Sequence, residues 1–210
     1  MILEQEKLLK KVLVENGHDF STATQRKMLS YLDIMVQWNR VFNLTRILNP
    51  KEMIYLHLLD SLTINKYLNG NKIIDIGSGA GLPGIPLAMA NTDKSFVLLD
   101  SNNKKTRFLT QVICDLKISN VEVIHKRVED YKPKIKYDSI LSRAFASLKQ
   151  MLNSTSELAT NNGKFLAMKG AYPKDEIEEI PENFKLIDVV KLEINNRSEE
   201  RHLVRMEKTN

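Results

Sequence analysis

The stretch KIIDIGSGAGLPGIPLA, residues 72–88, sets Gly77, Gly79, Gly81 and Gly84 directly behind a short apolar run that carries Asp75. Gly79, Gly81 and Gly84 satisfy a G-x-G-x-x-G spacing, the pattern in which a backbone without side chains closely approaches a cofactor. Three readings fit: a pyrophosphate cofactor, another nucleoside-bearing cofactor, or a tight turn with no ligand. Asp100 closes the next apolar run, FVLLD, about where an acid would bind ribose hydroxyls. An aspartate in that place also commonly caps the following helix, and both roles can coexist. Glycine turn and acid together favour an adenosine cofactor over an empty turn.

These residues need a frame. From residue 72 the chain alternates apolar, β-branched runs (KIIDI, SFVLLD, NVEVIH, YDSILS, GKFLAMKG) with helical patterns such as NKKTRFLTQVICDLK, which predicts parallel strands joined by crossover helices. The glycine turn and Asp100 would then stand at the carboxyl edge of a parallel sheet, where open α/β folds bind ligands. FKLIDVVKLEI and RHLVRMEK are separated only by NNRSEE, too short for a crossover, so an antiparallel hairpin is expected. Residues 1–70 read as a helical extension. Ser21, Thr22 or Thr24 offers a cap for one helix, whose apolar face is Met28, Leu29, Leu32, Met35 and Val36. Asn49 offers a cap for another, with Pro50 at its first position. The division expected is 1–70 extension and 71–210 ligand-binding domain, as one compact unit.

Composition sets outer limits. With 210 residues, 42% hydrophobic and 27% charged, the chain suits one well-buried α/β core with an appendage. A net charge of +5 allows a polyanion partner through local patches. One cysteine, Cys114, excludes an internal disulfide and a multi-cysteine metal site, and no metal is expected. The N-terminus lacks a signal-peptide pattern and no segment reaches membrane-spanning length, so a cytoplasmic protein with no membrane contact is expected.

Two departures separate the glycine turn from a nicotinamide dinucleotide site: Gly77 directly follows Asp75-Ile76 with glycines alternating at 77, 79 and 81, and the sheet ends in a hairpin. Both point to S-adenosylmethionine, which has no pyrophosphate. Here the motifs DIGSGAGLPGIPLA, LLDSNNKKTRFL, KRVED, SRAFASL, MKG and ERHLV, with WNRVFNLT and HLLDSL upstream, closely resemble the bacterial small-subunit (16S) rRNA guanine-N7 methyltransferases once called glucose-inhibited division protein B. The resemblance runs from about Trp38 to Val204. It implies a class I S-adenosylmethionine-dependent methyltransferase fold, a mostly parallel seven-stranded sheet with an antiparallel last strand. It further implies cofactor contacts at Gly77, Gly79, Leu82, Asp100, Val128, Glu129 and Arg143, with Arg143 also the catalytic candidate. The partner implied is 16S rRNA or the small ribosomal subunit. No stable protein partner is evident, and a monomer is expected.

Guanine N7, the acceptor implied by the resemblance, is consistent with the machinery the sequence lacks for other acceptors. A pyrimidine carbon needs an attacking cysteine, and Cys114 sits in an apolar helical pattern that predicts core packing. An exocyclic amine calls for an acid or asparagine with prolines after strand four, where this chain reads LSRAFAS. A ribose hydroxyl calls for a lysine and an acid; Lys169 could serve, but Arg143 stands where the acid would. Guanine N7 carries a lone pair and no proton, so it needs no base. His57 and Asp60 could line the site or form a helix's polar edge. Lys104, Lys105, Arg107, Lys126 and Arg127 could touch phosphates at its rim, as could Arg197, Arg201 and His202 near the hairpin. The competing readings are a nicotinamide-dependent oxidoreductase and a non-catalytic RNA-binding or assembly factor that retains an adenosine pocket.

Overall fold

The computed structural model describes residues 2–143, 145, 147–195 and 197–209; Ala144 and Ala146 of SRAFASL lie outside them. Among the described residues one seven-stranded sheet forms from β1 (Lys72–Ile76), β2 (Ser95–Asp100), β3 (Val121–His125), β4 (Tyr137–Ser142), β5 (Ala159–Lys169), β6 (Phe184–Lys191) and β7 (His202–Lys208). Their order is β3-β2-β1-β4-β5-β7-β6. The pairs among β1 to β5 are parallel. β7 runs antiparallel to both β5 and β6, so β6 points the same way as the first five. The seven apolar runs read from the sequence each become a strand. β5 starts at Ala159, ahead of the run that begins at Gly163, because Ala159 pairs with Tyr137 before the register shifts.

Side-chain alternation splits the core between the two faces of the sheet. Ile73, Phe96, Leu98, Leu166 and Leu203 point to one face, and Ile74, Val97, Leu99, Phe165 and Val204 to the other. The first face is covered by α5 (Gly84–Ala90), α6 (Asn103–Asp115) and the helices before residue 70. Leu9, Met28, Tyr31, Met35 and Leu58 of those early helices join Ile85 and Phe108 in a single cluster. The second face is covered chiefly by α7 (Leu148–Thr155), through Leu148, Met151 and Leu152. Full burial of such side chains contributes about 1.5–3 kcal/mol each.

Caps set the helix boundaries. α1 spans Ile2–Glu15; α2 spans Thr22–Phe42 and starts where the Ser21 hydroxyl accepts the Thr24 N–H at 3.1 Å. The Asn49 side chain accepts from Lys51 and Glu52 N–H at the start of α3 (Pro50–Met53). α3 then widens into a π-helix, Ile54–Leu59, before α4 (Asp60–Leu62). No helix among the described residues is long and apolar enough to cross a membrane. The expectation that Cys114 packs in the core fails: it is exposed. Phe108, Leu109 and Val112 take the buried stripe of α6, and two residues beyond Val112 the helix faces outward.

Candidate cofactor and acceptor site

The connection from β1 leads to β2 on one side of the sheet and that from β4 to β5 on the other, so a crevice opens between the carboxyl ends of β1 and β4. The glycine turn over it is clamped from three directions. Leu99 O accepts from Gly77 and Ser78 N–H at 2.8 and 3.2 Å. Asp100 Oδ2 accepts from Gly79 N–H at 2.9 Å. The Tyr31 hydroxyl, fully buried on α2, donates to Ala80 O at 2.5 Å.

The glycines of this turn serve two purposes. Gly77 has φ +71°, and a Cβ there would meet no heavy atom within 4 Å; the residue borders an open cavity. Gly84 is the reverse. A Cβ there would collide with Leu98 Cδ2 and lie 2.8 Å from Asp75 Oδ2, so this glycine lets α5 press onto the sheet. Asp75 is fully buried; its Oδ2 accepts the Gly84 N–H at 3.1 Å, while Oδ1 has no partner among the described residues. Burial pushes its carboxyl up to about 7, against the opposing pull of the Gly84 N–H.

The cavity beside the turn measures about 300 Å³ and brings together Gly77, Asp100, Val128 and Glu129 from three separate loops. Gly79 is tied to it through Asp100. Asp100 is 6% exposed, and its Oδ1 also accepts the Asn102 N–H at 2.8 Å. Each carboxylate oxygen has two lone pairs, so one on each remains for a hydroxyl. The helix-cap role weighed for Asp100 belongs instead to Asn102, whose side chain accepts from Lys104 and Lys105 N–H. Leu82 does not line the cavity: its side chain is buried in the core, and its N–H goes to Ser78 O at 3.1 Å. Lys105, with Nζ 3.9 Å from Asp100 Oδ2, and Phe145 do line it.

Arg143 stands past the end of β4 outside this cavity. Its Nη2 lies 3.3 Å from Asp60 Oδ2 and donates to Leu56 O at 3.3 Å. Asp60 is 1% exposed, and its Oδ1 accepts from Arg201 Nε at 3.0 Å. The partner of Arg143 is thus a buried carboxylate shared by two guanidiniums. His57, from the π-helical turn, is 3% exposed with Nε2 3.0 Å from Thr45 Oγ1. Burial lowers its pKa, with Arg143 adding to that and the Asp60 charge and nearby backbone opposing it, which keeps the ring neutral. His57 Nδ1 and Arg143 Nη1 are buried with no partner among the described residues. His57 and Asp60 are thus interior groups beside Arg143 rather than a helix's polar edge.

Other basic candidates are internally engaged. Lys169 Nζ meets Glu176 at 2.8 and 3.0 Å, and Glu176 also accepts the Leu148 N–H. Arg197 pairs with Glu52 at 2.7 Å and Glu199 at 2.6 Å, and His202 Nδ1 is 2.8 Å from Gly170 O. Arg197, Arg201 and His202, weighed as RNA contacts, each commit polar atoms to partners within the protein. Lys104, Arg107, Lys126 and Arg127 are exposed, the last two at the cavity. Tyr31 and Phe145 escaped the sequence reading. Tyr31 looks like any apolar-face residue of α2, and only SRAF, an aromatic just past a strand, signalled Phe145.

The family model described as rRNA small subunit methyltransferase G matches residues 24–204. Ribosomal RNA small subunit methyltransferase G of Shewanella frigidimarina is 42% identical over 200 residues, covering 95% of this chain and 97% of its own. The protein of the same name from a Marinomonas species is 47% identical over 190 residues, covering 90% and 91%. Among solved structures, the glycopeptide N-methyltransferase MtfA complexed with S-adenosyl-L-methionine superposes with a TM-score of 0.63 at 8% identity, over 73% of this chain and 88% of that one. That likeness establishes the fold.

Proposed function

Because this chain belongs to the rRNA small subunit methyltransferase G family and is an S-adenosylmethionine-dependent rRNA methyltransferase, we propose that its acceptor atom is N7 of a guanine in 16S rRNA. The observation that carries the choice of N7 is the state of the acids near the ends of β4 and β5. Asp60 is held by Arg143 and Arg201, and Glu176 by Lys169. Both carboxylates are committed to cationic partners, which suits an acceptor that has no proton to remove.

The residues at the crevice fit the cofactor. Asp100 offers two acceptor positions for ribose hydroxyls, Val128 and Glu129 flank the adenine, and Gly77 leaves its side of the cavity open. Leu82 contributes through its carbonyl, which α5 cannot use in an i to i+4 bond because Pro86 has no N–H. The cofactor supplies an electrophilic methyl group on a sulfonium. The chain supplies alignment, which in well-oriented reactions is worth ~7–11 kcal/mol. Arg143, held by Asp60 and Leu56 O with its side chain still 28% exposed, would meet an RNA phosphate and help bring N7 in line with the methyl group. As transfer proceeds the positive charge passes from sulfur to base, and no proton moves.

In this reading residues 1–70 extend the methyltransferase domain of 71–210 and act with it as one unit, a cytoplasmic monomer that meets RNA at the carboxyl edge. A non-catalytic assembly factor would need the same pocket, and a nicotinamide enzyme would not be expected in this family. Incubation with methyl-labelled S-adenosylmethionine and small ribosomal subunits, then nucleoside mass spectrometry, tests the proposal. Labelled 7-methylguanosine supports it; label in another nucleoside refutes N7.

A further inference from the structure

Three features of the carboxyl edge have no part in the cofactor contacts derived above: the lysine of MKG, the histidine of ERHLV, and Phe145, which lines the cofactor cavity although its ring has no polar atom to hold it there. They meet at one ion pair. We infer that Lys169 and Glu176 are positioning residues for cofactor binding, which fix the link between β4 and α7 and thereby set Phe145 against the cavity. The inference rests on the cofactor-site reading above and extends it to two residues that do not border that cavity.

Geometry is the first support. Lys169 closes β5, and Glu176 stands on the short α8 (Lys174–Glu178) that follows. Lys169 Nζ meets the carboxylate at 3.0 Å from Oε1 and 2.8 Å from Oε2, and donates to Phe145 O at 3.5 Å. An ammonium has three donors, so these contacts employ all of them. Glu176 Oε2 also accepts the Leu148 N–H at 2.7 Å, at the first residue of α7, while the Ser147 hydroxyl serves the Gln150 N–H. One ion pair therefore grips two main-chain groups, Phe145 O and Leu148 N–H, on the segment that carries the Phe145 ring. That ring packs on the core of the second face and shares the cavity wall with Val128 and Glu129, so a shift of the segment would reshape the wall.

The pair is itself braced, which is the second support. Strand register sets Lys169 opposite His202 of β7, and His202 Nδ1 lies 2.8 Å from Gly170 O. The Tyr172 ring meets the His202 ring edge-on, with centroids 5.6 Å apart. The connection from β5 to α8 is thus pinned to β7, and it returns Glu176 to the lysine at the end of its own strand. With side chains 15% and 28% exposed, Lys169 and Glu176 are less screened than a surface pair. At its other end the link begins with Arg143, which Asp60 holds, so Phe145 falls between two anchored points.

Calorimetry of S-adenosylmethionine binding to Lys169→Met, Phe145→Ala and the double variant tests the inference. Lys169→Met should raise Kd about tenfold, the scale of coupling within one contact network. The double variant should bind no worse than Phe145→Ala, because the ion pair acts through that ring. Lys169→Arg, which retains the pair, should recover most of the affinity. Lys164→Met, which removes an ion pair to Glu207 on the same strand, should leave Kd at the wild-type value. If Lys169→Met does not fold, Glu176→Gln keeps an acceptor for the Leu148 N–H and is read in the same way. Wild-type affinity in Lys169→Met overturns the inference, as does an additive loss in the double variant or an equal loss in Lys164→Met. A shallower salt slope for RNA binding with unchanged cofactor affinity also overturns it, by making Lys169 a phosphate contact. Unchanged Kd in Asp100→Ala would instead strike the cofactor-site reading.

Discussion

Asp75 carries an ionisable group where none can be comfortable, fully buried under α5 with its folded-state carboxyl raised to about 7. Between the unfolded pKa near 3.8 and about 7, the folded state holds a proton that the unfolded state has lost. Stability from this residue is therefore fully present below the unfolded value and is lost as pH rises through about 7. The slope is at most about 1.4 kcal/mol per pH unit. Asp75→Asn retains an acceptor for Gly84 N–H, so denaturant melts of that variant should lose this pH dependence and match or exceed wild-type stability at pH 8. Asp100 is the residue proposed to hold the cofactor's ribose. Asp100→Ala should weaken S-adenosylmethionine binding roughly ten- to 150-fold by calorimetry, the worth of one charged hydrogen bond. Arg143→Ala should leave that affinity nearly unchanged, because the side chain is outside the cofactor cavity, while lowering turnover and making the salt slope shallower by about 0.7. Arg143→Lys should recover RNA binding more than rate. Asp100 was legible because it ends a strand, whereas Gly77, Val128 and Glu129 came from the resemblance and each follows a strand on the same edge. Leu82 and Arg143 were legible as positions only, since whether a side chain turns into a cavity or a core depends on partners distant in sequence.

The elements explain why the site holds its shape. α2 reaches the glycine turn through the Tyr31 hydroxyl, so the helical extension stiffens the loop that borders the cofactor. Tyr31→Phe removes that donor and leaves a buried carbonyl, costing about 1–3 kcal/mol. In a chain of this length the melting temperature should then fall by ~2–4 °C per kcal/mol. S-adenosylmethionine affinity should fall with it, which a stability role confined to α2 would not produce. The strands were legible because a parallel strand buried on both faces writes a continuous apolar run, and the hairpin because its link is too short for a crossover. The π-helical turn of Ile54–Leu59 was not. Its spacing reads as an ordinary helix, and its buried Ile54, Leu58 and Leu59 lead directly into Asp60, the carboxylate shared by Arg143 and Arg201. Cys114 failed for a related reason, since an apolar neighbourhood in sequence does not say which stripe of a helix is covered.

At the scale of the molecule, a net charge of +5 conceals a division of labour. Arginines near the hairpin are paired with acids and brace the helical extension against the sheet, as Arg197 does to Glu52 and Arg201 to Asp60. Lys126 and Arg127 at the cavity are exposed instead. Sequence alone counts both kinds equally, so it offered the rim cations and the hairpin residues alike as RNA contacts. The central claim is that this crevice delivers a methyl group to N7 of a guanine in 16S rRNA. Its most direct test is nucleoside mass spectrometry of small-subunit rRNA after reaction with the purified protein and methyl-labelled S-adenosylmethionine. The account predicts labelled 7-methylguanosine, abolished or strongly reduced by Arg143→Ala at saturating cofactor. Label in any other nucleoside, or none in wild-type reactions that bind both cofactor and RNA, would contradict it.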